Sequence, residues 1–133
     1  MPAPATELKR AVFAVLGKDA ALAERVGGRI LDQASANTVF PSVTLGRTSL
    51  YDWSSGAERS DEQLFSLHVW SKAGESEIGE ITAILRTLIE GAALDLGDGR
   101  MAGAQLEFSE ARHHEELQLH TGLLRFRAVA VQS

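Results

Sequence analysis

Cysteine is absent from the chain, which excludes disulfides and thiolate chemistry and leaves the redox compartment open. Basic charge is in deficit, because 13 lysines and arginines stand against 18 aspartates and glutamates, a formal net charge of −5. That balance argues against a nucleic-acid grip built on broad positive potential, so any DNA nearby would be passed along rather than held. No apolar run approaches membrane-spanning length, and residues 1–5 lack the basic and apolar regions of a signal peptide, so a cytoplasmic, unanchored product is expected. No Gly-x-Ser-x-Gly elbow presents a nucleophile. The pair Gly97 and Gly99 is too closely spaced for a phosphate-binding loop, with no helix start behind it, and reads as a hairpin turn. What is present, 44% hydrophobic and 23% charged residues in 133, suits one soluble domain with one ordinary core. It has no internal repeat, low-complexity tract or linker.

The centre of the chain organises the rest. Residues 64–70, Leu-Phe-Ser-Leu-His-Val-Trp, have the β-branched and aromatic content of a half-buried strand. They lead into a helix at about 75–90, in which Ile78, Ile81, Leu85 and Leu88 recur on one face and Ile84 and Ile89 widen the stripe. Glu75, Glu77 and Glu80 suit the positive end of its dipole, and Gly91 stops it. Upstream, Thr6 is the expected cap of a first helix carrying Leu8, Val12 and Val15 and ending at Gly17. Asp19 caps a second helix at 20–26, stopped by Gly27 and Gly28. A short strand at 29–32 and a polar loop at 33–38 follow, and then a strand at 42–46 after Pro41, with Val43 and Leu45 facing the core. Residues 48–53 stay extended and pair antiparallel with 63–70 across a mobile loop at 54–61, where no apolar residue recurs.

Beyond the long helix, 94–96 is a candidate strand ending in the turn at 97–100. The small residues 102–104 weaken strand character, which returns clearly at 106–109. The last strand, 119–131, points Leu124, Phe126, Ala128 and Ala130 one way and Leu123, Arg125, Arg127, Val129 and Val131 the other. Residues 113–116 connect the last two strands. The fold class is therefore α+β: a single domain over 1–133, with a mostly antiparallel sheet packed by one long helix and with N-terminal helices.

Little of this carries chemistry. His113, His114, Glu115 and Glu116 are metal-binding residue types, but adjacent residues diverge in direction and the four read as a solvated turn. His68 and His120 sit in strands as structural histidines, since no activated nucleophile accompanies them. No catalytic, metal-binding or cofactor-binding residue is assigned. Tyr51 and Trp53 at a loop edge are aromatic types enriched at interface cores, and Arg125 with Arg127 on one strand face could grip phosphate or a partner's carboxylate. With Asp52 and Arg59 they make a candidate interface set of Tyr51, Asp52, Trp53, Arg59, Arg125 and Arg127.

Several patches occur in a recognisable order: Asp19-Ala20-Ala21-Leu22, Val26-Gly27-Gly28-Arg29-Ile30, Phe40-Pro41, Val43-Thr44-Leu45-Gly46 and Asp52-Trp53-Ser54. Leu67-His68-Val69-Trp70-Ser71 and His120-Thr121-Gly122-Leu123-Leu124-Arg125-Phe126-Arg127 complete it. This order resembles the DUF3168 family of phage tail completion or tail terminator proteins over nearly the whole chain; no single motif is diagnostic. The resemblance implies a structural, non-enzymatic role without cofactors. It implies a homo-oligomeric ring, typically a hexamer, on the head-proximal end of the tail tube, which stops tube polymerisation and receives the head connector. The implied partners are other copies of the chain, the tail tube protein and a head-completion (stopper or connector) protein, with DNA passing through the lumen without specific binding and no membrane involved. The implied locations are the host cytoplasm during assembly and then the tail of a phage, prophage or gene transfer agent particle. Two alternatives stand beside it: a small metal-binding enzyme using the His113 to Glu116 cluster, and a protein-binding adaptor that forms no ring.

Overall fold

The computed structural model describes residues 4–27, 29–31, 39–45, 49–52, 60–97 and 100–131. Helices α1 (Pro4–Gly17) and α2 (Ala20–Val26) precede strands β1 (Ile30–Leu31), β2 (Ser42–Leu45), β3 (Ser49–Asp52) and β4 (Ser60–Ser71). Helix α3 (Glu75–Gly91) then leads to β5 (Leu94–Gly97), β6 (Arg100–His114) and β7 (Leu119–Val131). The seven strands form one sheet in the order β1-β2-β4-β7-β6-β5, and β3 pairs with the free half of β4 beside β2. Every pairing is antiparallel except β1 with β2. The α+β class read from the sequence is the observed one.

Local chemistry accounts for the helix ends. Helix α1 starts at Pro4, two residues before the expected cap at Thr6. A proline's fixed φ and missing N–H suit a first helical turn, so the helix is already under way at Thr6. At α2 the expected cap is realised: the Asp19 carboxylate accepts the Leu22 N–H at 2.8 Å, and Gly27 closes the helix in the left-handed region at φ 59°. Helix α3 is tied to the strand before it through Ser71, whose hydroxyl accepts the Ala73 N–H at 3.0 Å and donates to Glu77 Oε1 at 2.6 Å.

The helices cover one face of the sheet. Phe65 of β4 and Phe126 of β7, opposite one another in register, stack at 5.3 Å in the middle of the core. Leu67, Val69 and Leu124 lie beside them, under Ile78, Ile81, Leu85 and Ile89 of α3 and Leu8, Val12 and Leu16 of α1. Each such side chain contributes roughly 1.5–3 kcal/mol of transfer free energy when buried. The α3 stripe sits slightly rotated from expectation: Ile89 is fully buried and Leu88 only partly, because three turns of 3.6 residues from Ile78 land nearer position 89. Gly122 lets α3 approach β7 closely, since a Cβ there would lie 2.9 Å from Ile78 Cγ2 and 3.1 Å from Thr82 Cγ2.

Three expectations for the sheet are corrected. β4 begins at Ser60, inside the expected loop at 54–61, because Ser60 to Gln63 have ladder partners on β7. β6 is one strand of 15 residues that runs through 102–104. Pairing with β7 along almost its whole length overrides weak local propensity, and Ala102 and Ala104 are small, buried core residues. The same pairing draws His113 and His114 into the strand, so the connection is Glu115 to Gln118. In β2, Val43 and Leu45 face the core as expected, and Ser42 and Thr44 are buried as well, with Trp70 donating its indole N–H to Thr44 Oγ1 at 2.9 Å. The expected loop at 33–38 lies outside the described residues, as do residues 54–59 of the loop at 54–61.

Candidate functional site

Among the described residues, the sheet has one face under the helices and one face open. The register aligns Leu64 with Arg127 and Gln105, Ser66 with Arg125 and Phe108, and His68 with Leu123 and Glu110 in cross-strand rows on the open face. Arg125 is exposed and holds its guanidinium 5.6 Å from the centre of the Phe108 ring. Arg127 pairs with Glu107. Both arginines of the expected interface set therefore lie on the open face and have partners within the chain. At such exposure a cation–π contact or ion pair contributes about 0–1 kcal/mol, which orients a side chain more than it stabilises a fold. Tyr51 and Asp52 are on β3 opposite Glu62 and Asp61, two strands away from β7, and are described in backbone only. Trp53 and Arg59 lie outside the described residues.

Next to the arginines is a basin of about 410 Å³, bounded by His68 and Trp70 of β4, Glu110, Arg112 and His114 of β6, Leu119, Thr121 and Leu123 of β7, and Leu117 in the turn. The His68 and Trp70 rings are 6.1 Å apart. Burial holds the His68 imidazole below its ordinary value, so the ring is neutral at neutral pH. Sequence reasoning assigned these residues to packing. Their partly covered state and their concave setting depend on β6 and β7 curling past them, which no local pattern announces.

The histidine and glutamate cluster separates in three dimensions. His113 stacks on its cross-strand partner His120 at 4.2 Å, whereas the His114 ring nitrogen is 3.3 Å from Thr121 Oγ1, and Glu115 and Glu116 are in the turn. Alternation along a strand sends neighbours to opposite faces. Among the described residues no group of three His, Asp or Glu could hold a metal ion.

The feature that sequence reasoning missed is the far edge of β6. β5 pairs only with Arg100 to Ala102, and β7 occupies the other side, so from Gly103 to His114 one edge of β6 has no strand beside it among the described residues. A register shift against β7 lies between Leu106 and Phe108, and on the free edge the Glu90 carboxylate accepts the Leu106 N–H at 3.0 Å. That hydrogen bond, followed by Arg86, lowers the Glu90 pKa. Beyond the shift, residues 107–114 are exposed except for the half-buried Glu110. Between this edge and α3 lies a trench of about 510 Å³, with a floor of Ile78, Leu106, Ala111 and Leu124 and with Glu75 and Arg86 at its rim. The only sequence signal was a length mismatch: the stop at Gly91 and the turn at 97 leave room for a short β5, whereas β7 is long.

Three comparisons bear on this architecture. A sequence profile of the family described as tail completion protein gp17 matches residues 10–130. A chain in the solved virion of a native gene transfer agent particle is similar to this one at 28% identity with a TM-score of 0.85, over 99% of this chain and 100% of that one. The solved gp17 protein of bacteriophage SPP1 shares the fold, with a TM-score of 0.67 at 18% identity over 96% of this chain and 90% of that one. No curated protein matches the sequence.

Proposed function

The chain belongs to the tail completion protein gp17 family, and from that premise we propose that it is a tail terminator. In this reading it forms a homo-oligomeric ring, a hexamer, at the head-proximal end of the tail tube of a phage or gene transfer agent particle. The ring ends tube polymerisation and presents its other side to a head-completion protein. It assembles in the host cytoplasm and then resides in the particle. The observation that carries this is the family match along residues 10–130, which takes in the second half of α1, all of α2 and α3, and the sheet up to the last residue but one of β7.

The physical properties support a structural rather than a catalytic part. The open face has charged side chains that pair with one another, Arg127 with Glu107 and Arg112 with Glu110, rather than converging on a reacting centre. A closed ring requires two different, complementary surfaces on each subunit, related by a rotation that closes. A sheet with unlike margins offers such surfaces. The net charge of −5 suits a lumen through which DNA slides, because few phosphates would be held. A lumen lined chiefly by arginine and lysine would contradict that part of the reading.

Native mass spectrometry and negative-stain imaging of the purified protein, alone and with its tail tube protein, test the proposal. Rings of defined mass that co-purify with the tube are expected. A chain that stays monomeric in both settings would sink it.

A further inference from the structure

We propose that the free edge of β6, over residues 107–114, together with the trench beside it, receives the opposite sheet margin of a second copy of this chain, so that the sheet continues from subunit to subunit. The choice of a second copy as occupant rests on the ring reading.

The edge itself states the chemistry of what it takes. A strand without a neighbour presents a row of unpaired N–H and C=O groups, which only another extended backbone can satisfy as a row. Proteins that remain monomeric protect such edges with charged side chains, lysine above all, with proline, with bulges or with a covering element. On β6 the protection stops partway: the Glu90 carboxylate takes up the Leu106 N–H at the edge, whereas residues 107–114 contain neither lysine nor proline, and the charges of Glu107, Glu110 and Arg112 are engaged in ion pairs within the sheet. This stretch is also exposed on both faces apart from the half-buried Glu110, so it lacks cover on three sides although it belongs to a 15-residue strand. An extended segment laid along the edge would direct alternate side chains into the apolar trench against α3.

The distribution of exposed apolar residues indicates where that segment comes from. Met101, Phe108 and Leu117, exposed by 42%, 40% and 65%, lie on β6 and its turn. The other exposed large hydrophobic residue among those described is Val39, exposed by 61%, three positions before β2 at the opposite side of the sheet. Val39 lies at the same end of the strands as the open part of β6. Ser42 is opposite Trp70, Lys72 packs over Phe40, and Ser71 is level with His120 and His113. The outer edges of the short strands β1 and β3 are unpaired on that side among the described residues. One chain thus has an apolar recess with a free strand edge at one margin, and an apolar projection with free strand edges at the other. Joining unlike margins is a heterologous contact, the kind that propagates around a ring.

Complementary variants test this directly. Ala111→Lys places a charge at the trench on an exposed position, and Val39→Asp places one on the opposite margin. Each variant alone should stay folded by circular dichroism and weaken self-assembly at least about 100-fold, the usual scale for burying an unpaired charge. Mixed together, the two retain one intact pair of margins, and native mass spectrometry should show a one-to-one heterodimer that grows no further. Three results would overturn the inference: either variant assembling like the unmodified chain, a mixture that stays monomeric, or a Val39→Asp chain that forms a two-fold dimer through β6 alone. If the unmodified chain forms rings in the same experiment, only this contact is refuted and the ring reading survives. If it never assembles, alone or with tube protein, both fall.

Discussion

Gly122 and His68 show how single positions carry the architecture. A methyl group at 122 would meet Ile78 Cγ2 at 2.9 Å, and that neighbour is held in the core, so it has little room to yield. Gly122→Val should destabilise the fold by about 1–3 kcal/mol, the usual cost of overpacking, read as a lower midpoint in chemical denaturation. An unchanged midpoint would mean that α3 is free to lift from β7. His68 behaves differently because its cost depends on pH. Burial lowers its pKa in the folded state, so the unfolded chain binds the proton more readily. Stability should therefore fall as pH drops through the ordinary imidazole value of about 6.5, and the loss should level off below the folded value. Denaturation curves at several pH values should show this in the unmodified chain, and His68→Leu should flatten the dependence. Both residues were legible as strand positions. Neither close approach nor desolvation was, since each depends on what another element brings to that point.

At the scale of elements, the junction of β4 and α3 is held by Ser71. Its buried hydroxyl serves Ala73 N–H and Glu77 together, and Ser71→Ala leaves both without it. A loss of about 1–3 kcal/mol is expected, with α3 amides exchanging hydrogen faster near the helix start. The carboxylate of Glu90 at the other end of α3 joins the helix to the β6 edge. Its folded pKa is lowered by the Leu106 N–H and by Arg86. The stabilisation is thus present above the unfolded carboxylate value and is lost as pH falls through the folded one. Glu90→Gln should remove that acid-side dependence and speed exchange of the Leu106 amide, measurable by NMR. The long helix, the last strand and the Asp19 cap could all be read from periodicity and local chemistry. The length of β6 could not, because its alanine and glycine positions and its two terminal histidines are strand only by virtue of the β7 ladder.

At the scale of the whole molecule, the described residues form a sheet covered by helices on one side and with unlike margins, and the proposed role depends on those margins and on the open face. Arg125 packs over Phe108 outside the core, so Arg125→Glu should leave the denaturation midpoint within about 0.5 kcal/mol while reducing ring formation in native mass spectra. Equal loss of folded protein would place Arg125 in the stability of the domain instead. By itself the sequence determined the class of the fold, the helix stripe, the faces of β7 and the tail completion class of protein, because those follow from periodicity, capping chemistry and an ordered set of local patches. Only the tertiary structure decided which strand edge is left open, how the histidines part, and where the exposed apolar residues collect. These depend on strand order and register between segments far apart in the chain, and a row of unpaired backbone groups leaves no mark on the side chains that bear it.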